Sequence, residues 1–114
     1  MNRDIKMKNL KIIVVAALLM PLSAIAGGNA EAGAKKAETC KACHGEGGGK
    51  PIQPDYPILA GQHADYLEAA LNQYKSGKRK NPTMGGFAAA LKAEDIRDLA
   101  AYFASQKSDL KTKY

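Results

Sequence analysis

The stretch TCKACHGEGG, residues 39–48, sets Cys40 and Cys43 three positions apart and follows them at once with His44 and Gly45. Three chemistries use parts of this string. C-x-x-C is a dithiol redox motif, or half of a zinc site, or, with the added histidine, the attachment sequence of a covalent haem. The spacing alone does not choose, so the rest of the chain has to.

The N-terminal end bears on compartment. Arg3, Lys6, Lys8 and Lys11 face a single acid, Asp4, and are followed by the apolar run IIVVAALLM, then Pro21 and LSAIA with small residues at Ala24 and Ala26. A basic head, a short apolar run and an A-x-A site make a secretory signal peptide, residues 1–26, with cleavage after Ala26. Met7 begins an equally complete signal, so the start is Met1 or Met7. A membrane-spanning helix needs about 20 apolar residues, and residues 12–26 offer 15 with a proline among them. The expectation is a periplasmic protein with no stable membrane insertion after cleavage.

What remains is one domain, residues 27–114. Removing four of the 17 basic and one of the 11 acidic residues leaves a net charge of +3. That balance gives no reason to expect nucleic acid. The chain has no Trp and two Phe, and domains this small often depend on a cofactor, metal or disulfide for stability. Something besides side chains is expected to fill the middle.

Residues 29–43, NAEAGAKKAETCKAC, read as a helix with Asn29 as a possible cap; Ala32, Gly33 and Ala37 would let another helix approach. Residues 45–61, with five Gly and three Pro, form a loop long enough to expect a function. In residues 62–76, Tyr66, Leu67, Ala70, Leu71 and Tyr74 recur at helical spacing, and Gly77 closes that helix. A second loop, GKRKNPTMGG, spans residues 77–86. The last helix, residues 93–107, carries Ile96, Leu99, Ala100 and Phe103 on one stripe with its charges opposite. Lys92 is a poor cap for it and predicts a frayed start. The tail SDLKTKY is expected to be loose. No strand period and no repeat is visible.

This frame weighs the three chemistries. Zinc wants four ligands, and residues 27–114 supply only Cys40, Cys43, His44 and His63 of the soft type, two of them adjacent. A thiol–disulfide oxidoreductase wants a βαβ context with its first Cys at a helix N-terminus, whereas these cysteines end a helix. Haem uses the most residues: two thiols add to two vinyl groups and His44 lies under the iron. A sixth ligand follows by elimination, because Met84 is the only methionine outside the signal segment, 40 residues after His44 and followed by two glycines. His63, at a polar helix start, reads as an exposed surface residue. An iron that lost Met84 easily would leave a peroxidase or gas-binding alternative open.

With these residues assembled, the chain resembles a class I cytochrome c, close to the small monohaem bacterial c553/c5 or c4-type domains. The resemblance covers nearly all of residues 31–106 through CKACHG, YPILAGQ with YLEAAL, GKRKNPTM and DIRDLAAYFAS. It implies an all-α fold of three to four main helices wrapped around one covalently bound haem c. It implies thioether bonds at Cys40 and Cys43 and axial ligands His44 and Met84. It places Pro57, Leu59, Arg79 and Asn81 in the haem pocket: the Pro57 carbonyl on the His44 ring, Leu59 on the porphyrin, and Arg79 near a propionate. The function implied is single-electron transport between redox proteins, a donor and an acceptor such as a dehydrogenase, oxidase or reductase, and not enzymatic turnover. A dedicated subunit of a larger dehydrogenase or oxidase complex is the alternative. The run KSGKRK is either solvated surface or a docking patch for an acidic partner.

Overall fold

The computed structural model describes residues 27–110; the expected signal peptide, residues 1–26, and the last four residues lie outside them. Five α-helices form there: α1 (Ala30–Lys36), α2 (Lys41–His44), α3 (Ala64–Ser76), α4 (Pro82–Ala89) and α5 (Ala93–Ser105), with single 3₁₀ turns at Ala37–Thr39 and Glu46–Gly48. No strand occurs among the described residues.

Asn29 caps α1 as its sequence predicts, its Oδ1 accepting from the Ala32 N–H at 2.9 Å. The continuous helix expected over residues 29–43 is interrupted. After Lys36 the backbone tightens into a 3₁₀ turn, closed by Cys40 N–H to the Ala37 carbonyl at 2.9 Å, and α2 begins one residue later. The dihedrals at Ala37 and Cys40 stay right-handed helical, so the segment is one kinked rod. Thr39, β-branched and a weak helix former, sits at the kink.

α1 crosses α5 with backbone against backbone. A Cβ added at Gly33 would lie 2.0 Å from the Asp98 carbonyl oxygen and 2.7 Å from Tyr102 Cβ, so only glycine fits there. Ala37, also expected at a close approach, is buried in the core. The charges of α5 are not all on the solvent side as its stripe suggested. Asp98 is 4% exposed, accepting the Asn29 N–H at 2.8 Å and the Lys36 ammonium at 2.6 Å. Lys36 also meets Asp95 at 2.9 Å. Asp98 lies on the flank of α5 that α1 covers, and there a carboxylate is tolerated because both its oxygens are bonded.

The core is small, as the composition implies. Among the described residues Leu67, Ile96, Leu99 and Phe103 are the large apolar side chains that are buried, joined by Ala37, Ala60, Ala88 and Ala100. α3 turns Leu67 into this core with Leu71 packed beside it and ends at Gly77, whose φ of 80° is the left-handed stop its sequence foretold. Tyr66 departs from the expected apolar face and is half exposed.

Further expectations are corrected. The segment holding Met84 is not a loop: Asn81, extended at φ −157°, caps α4 through Oδ1 to the Met84 N–H at 3.0 Å, and Pro82 occupies the first turn. An Asn cap followed by Pro is a strong start signal; the glycine pair behind it hid the helix. Nor is the start of α5 frayed, because Asp95 Oδ2 reaches back to the Lys92 N–H at 2.9 Å, which is half of a capping box. In the tail, Ser108 and Leu110 are half-buried, and the rest of the segment expected to be loose, residues 111–114, lies outside the described residues.

Candidate functional site

Cys40 caps α2 at its start and Cys43 lies within it, and both are free, half-buried thiols. The expectation that they close a helix is refined, since Cys40 is the residue from which α2 starts. A helix N-terminus favours a thiolate, but α2 is four residues long. Burial pushes the Cys40 thiol up, against a smaller lowering by the Thr39 hydroxyl. Cys40 packs against the core cluster. A buried thiol held protonated is a poor attacking nucleophile for disulfide exchange, which counts against the oxidoreductase reading.

His44 ends α2 and is 6% exposed. Its Nδ1 donates to the Pro57 carbonyl oxygen at 2.9 Å. A carbonyl can only accept, so this bond places the proton on Nδ1 and leaves Nε2 with a free lone pair, the orientation that ligand histidines are given in metal sites. Gly45 then turns the chain away at φ 81°, where a Cβ would lie 1.9 Å from the Lys50 carbonyl oxygen. The long loop that supplies Pro57 is tied at both ends. Ile52 N–H bonds the Cys43 carbonyl at 3.0 Å, and Leu59 N–H and Ala60 N–H share the Gly48 carbonyl at 2.9 and 3.1 Å. Its last residue, Gly61, bonds the Phe103 carbonyl of α5 at 2.9 Å. The loop is therefore a built wall, and it holds the Pro57 carbonyl over the imidazole.

Met84 is half-buried on α4, which packs against α3. Asn81 bonds its backbone, as above. Leu59 is half-buried against the core cluster that includes Phe103. Arg79 is engaged with two tyrosines of α3: its guanidinium carbon lies 5.0 Å from the centre of the Tyr74 ring, and Nη1 donates to the Tyr66 hydroxyl at 3.4 Å. His63 is exposed at the start of α3, as expected. Sequence reasoning missed Tyr66, which the helical period assigned to the core face; its position two turns before Tyr74 and beside an arginine-bearing turn is the signal that it had another partner.

Among the described residues no three His, Cys, Asp or Glu side chains gather as a metal site, and no helix is long and apolar enough to cross a membrane. The donors that are brought to order suit a haem: two thiols a helical turn apart, a buried imidazole with its outer nitrogen free, and a thioether on a separate helix. Ile52, whose N–H bonds the Cys43 carbonyl, and Ile58, which follows Pro57, are 64% and 37% exposed, and Phe87, 50% exposed, lies three residues beyond Met84. A flat apolar macrocycle needs such side chains around it.

A family model described as cytochrome c matches residues 30–107. The chain is 43% identical over 99 residues to cytochrome c4 of Pseudomonas aeruginosa, covering 85% of this chain and 49% of that protein. It is 46% identical over 83 residues to cytochrome c-554(548) of Halomonas halodenitrificans, covering 70% of this chain and 99% of that protein. The solved structure of a thiosulfate dehydrogenase from Marichromatium purpuratum superposes with a TM-score of 0.65 at 38% identity, over 70% of this chain and 20% of that one. The chain thus spans about half the length of the cytochrome c4 it matches and nearly all of the c-554(548).

Proposed function

This chain belongs to the cytochrome c family, and from that premise we propose that it is a monohaem electron carrier of the periplasm. Membership implies a covalently bound haem c; the single C-x-x-C-H in the sequence supports one haem per chain. When bound, the haem supplies one reversible electron through its iron. Cys40 and Cys43 tether it. His44 ligates through Nε2, fixed by the Pro57 bond, and Met84 ligates through its sulfur.

The bond from His44 Nδ1 to Pro57 is the observation that carries this reading. It spends a loop of the fold on aiming a single imidazole, which dithiol chemistry at this motif would not require. A zinc ion would use such a histidine, but it wants four ligands, and no cluster of them gathers among the described residues. His44 and Met84 would both be committed to the iron, and a group held on both sides in this way would support transport over turnover. A soft sulfur ligand favours the reduced state and raises the potential. The export segment, outside the described residues, supports the periplasmic location. The partners are redox proteins, one donating and one accepting.

The test is a visible spectrum of the exported protein, oxidised and reduced. The expected result is a low-spin c-type spectrum with the weak far-red sulfur-to-iron band, and colour that survives acid–acetone extraction. A colourless protein, or haem that extracts, would sink the proposal. A second reading, an electron-transfer subunit of a larger complex, is favoured by the likeness to part of a thiosulfate dehydrogenase structure. Purification under mild conditions separates the two, since a subunit brings its enzyme with it.

A further inference from the structure

We infer that Arg79 is a positioning residue for Met84: gripped by Tyr66 and Tyr74 of α3, it fixes the turn from which α4 presents the thioether. The inference rests on the reading of Met84 as an iron ligand.

Only Gly77, Lys78, Arg79 and Lys80 separate α3 from Asn81. Lys78 and Lys80 are exposed, and among the described residues their side chains have no bonding partner. Arg79 is different. Its backbone N–H bonds the Gln73 carbonyl at 3.1 Å, its guanidinium lies over Tyr74, and its Nη1 reaches the Tyr66 hydroxyl. Tyr66 and Tyr74 stand two turns apart on α3, so one side chain clamps the turn to a long stretch of helix. A planar guanidinium suits this double role because it stacks and donates at once.

Beyond Arg79 the chain has little freedom. Asn81 takes the Met84 N–H on its side chain at 3.0 Å and the Gly85 N–H on its carbonyl at 2.7 Å, and Pro82 fixes its own φ. A shift at Arg79 is therefore passed to the first turn of α4, where Met84 sits. The position of Tyr66, half exposed and off the core face, is explained by the same clamp.

The experiment uses the exported holoprotein and added imidazole, which competes with a weakly held thioether for ferric iron. Loss of the far-red band is followed against imidazole concentration in wild type, Arg79→Ala, Arg79→Lys and Tyr66→Phe, with far-ultraviolet circular dichroism to show that each remains folded. Loosening the clamp should raise the apparent imidazole affinity roughly three- to tenfold in Arg79→Ala, with a smaller rise in Tyr66→Phe and no rescue by lysine. Wild-type affinity in both Arg79→Ala and Tyr66→Phe overturns the inference. So does a lowered potential in Arg79→Ala with Tyr66→Phe silent, the pattern of a propionate partner. If the wild type itself lacks the band, the reading of Met84 fails and the clamp with it, before any variant is made.

Discussion

Oδ1 of Asp98 accepts the backbone N–H of Asn29 at 2.8 Å across 69 positions of the chain, so the helix that closes the fold holds the residue that opens it. The other oxygen, Oδ2, takes the Lys36 ammonium. Both ends of α1 are thus fastened to one carboxylate of α5. Asp98→Ala removes both contacts, whereas Asp98→Asn keeps an acceptor and loses the charge. Thermal melting of the holoprotein should drop by several degrees in Asp98→Asn and further in Asp98→Ala. Equal melting of the two would mean that charge alone matters at this site.

The same cluster sets an acid limit. Lys36 holds the Asp98 and Asp95 carboxyls below the usual carboxylate range, helped by the N–H groups of Asn29 and Lys92 respectively. Groups whose folded pKa is depressed stabilise fully above the unfolded value, about 3.9, and lose that contribution as pH falls through the folded value. Lys36 is raised, chiefly by Asp98, and its contribution is complete below about 10.4 and lost only at stronger alkali. The cluster is therefore indifferent to pH from about 5 to 9 and releases in acid. Acid titration by circular dichroism should show Asp98→Asn and Lys36→Met with a shallower loss of stability below pH 4 than wild type.

Gly33→Ala tests the helix crossing by adding one methyl group. Its Cβ would stand 2.0 Å from the Asp98 carbonyl oxygen, a distance that only separation of α1 from α5 can relieve. Overpacking of this kind costs about 1–3 kcal/mol, read as a lower denaturant midpoint with an unchanged slope. Alanine at Gly27, where nothing lies within 4 Å, serves as the control and should be neutral.

Much of this was legible from residue pattern, and what was not has physical reasons. Asn29 as a cap, Gly77 as a stop, Gly33 at a crossing and the Ile96–Phe103 stripe all follow from local rules, because each depends on neighbours within a turn or two. Asp98 was not legible, because its burial depends on Asn29 and Lys36, more than 60 positions away. α4 was missed because two glycines outweighed the Asn-Pro start. The chemistry at Cys40, Cys43 and His44 was readable as a motif, but the Pro57 carbonyl that orients the imidazole came only from resemblance until the fold placed it.

On the proposed ligation, Met84→His would replace a soft sulfur with a nitrogen as the iron's partner on α4. Axial ligands move haem potentials over a range of about 0.8 V, and thioether ligation raises them. The variant should lose the far-red band and fall in potential by an amount on the order of a few hundred millivolts, while the reduced spectrum stays low-spin. An unchanged potential would remove Met84 from the iron and direct attention to another ligand.

The smallness of the core gives the last prediction. Four large apolar side chains are buried among the described residues, and domains with so little apolar core often depend on a cofactor, metal or disulfide. Short α2 and one-turn 3₁₀ segments have no stability of their own. On the proposed reading, haem attachment supplies much of what holds α1, α3, α4 and α5 together. Cys40→Ser/Cys43→Ser, which cannot form thioethers, should lose most of its helical circular dichroism when purified free of haem. Native helicity in that variant would show that the α1–α5 crossing and the Asp98 cluster suffice alone.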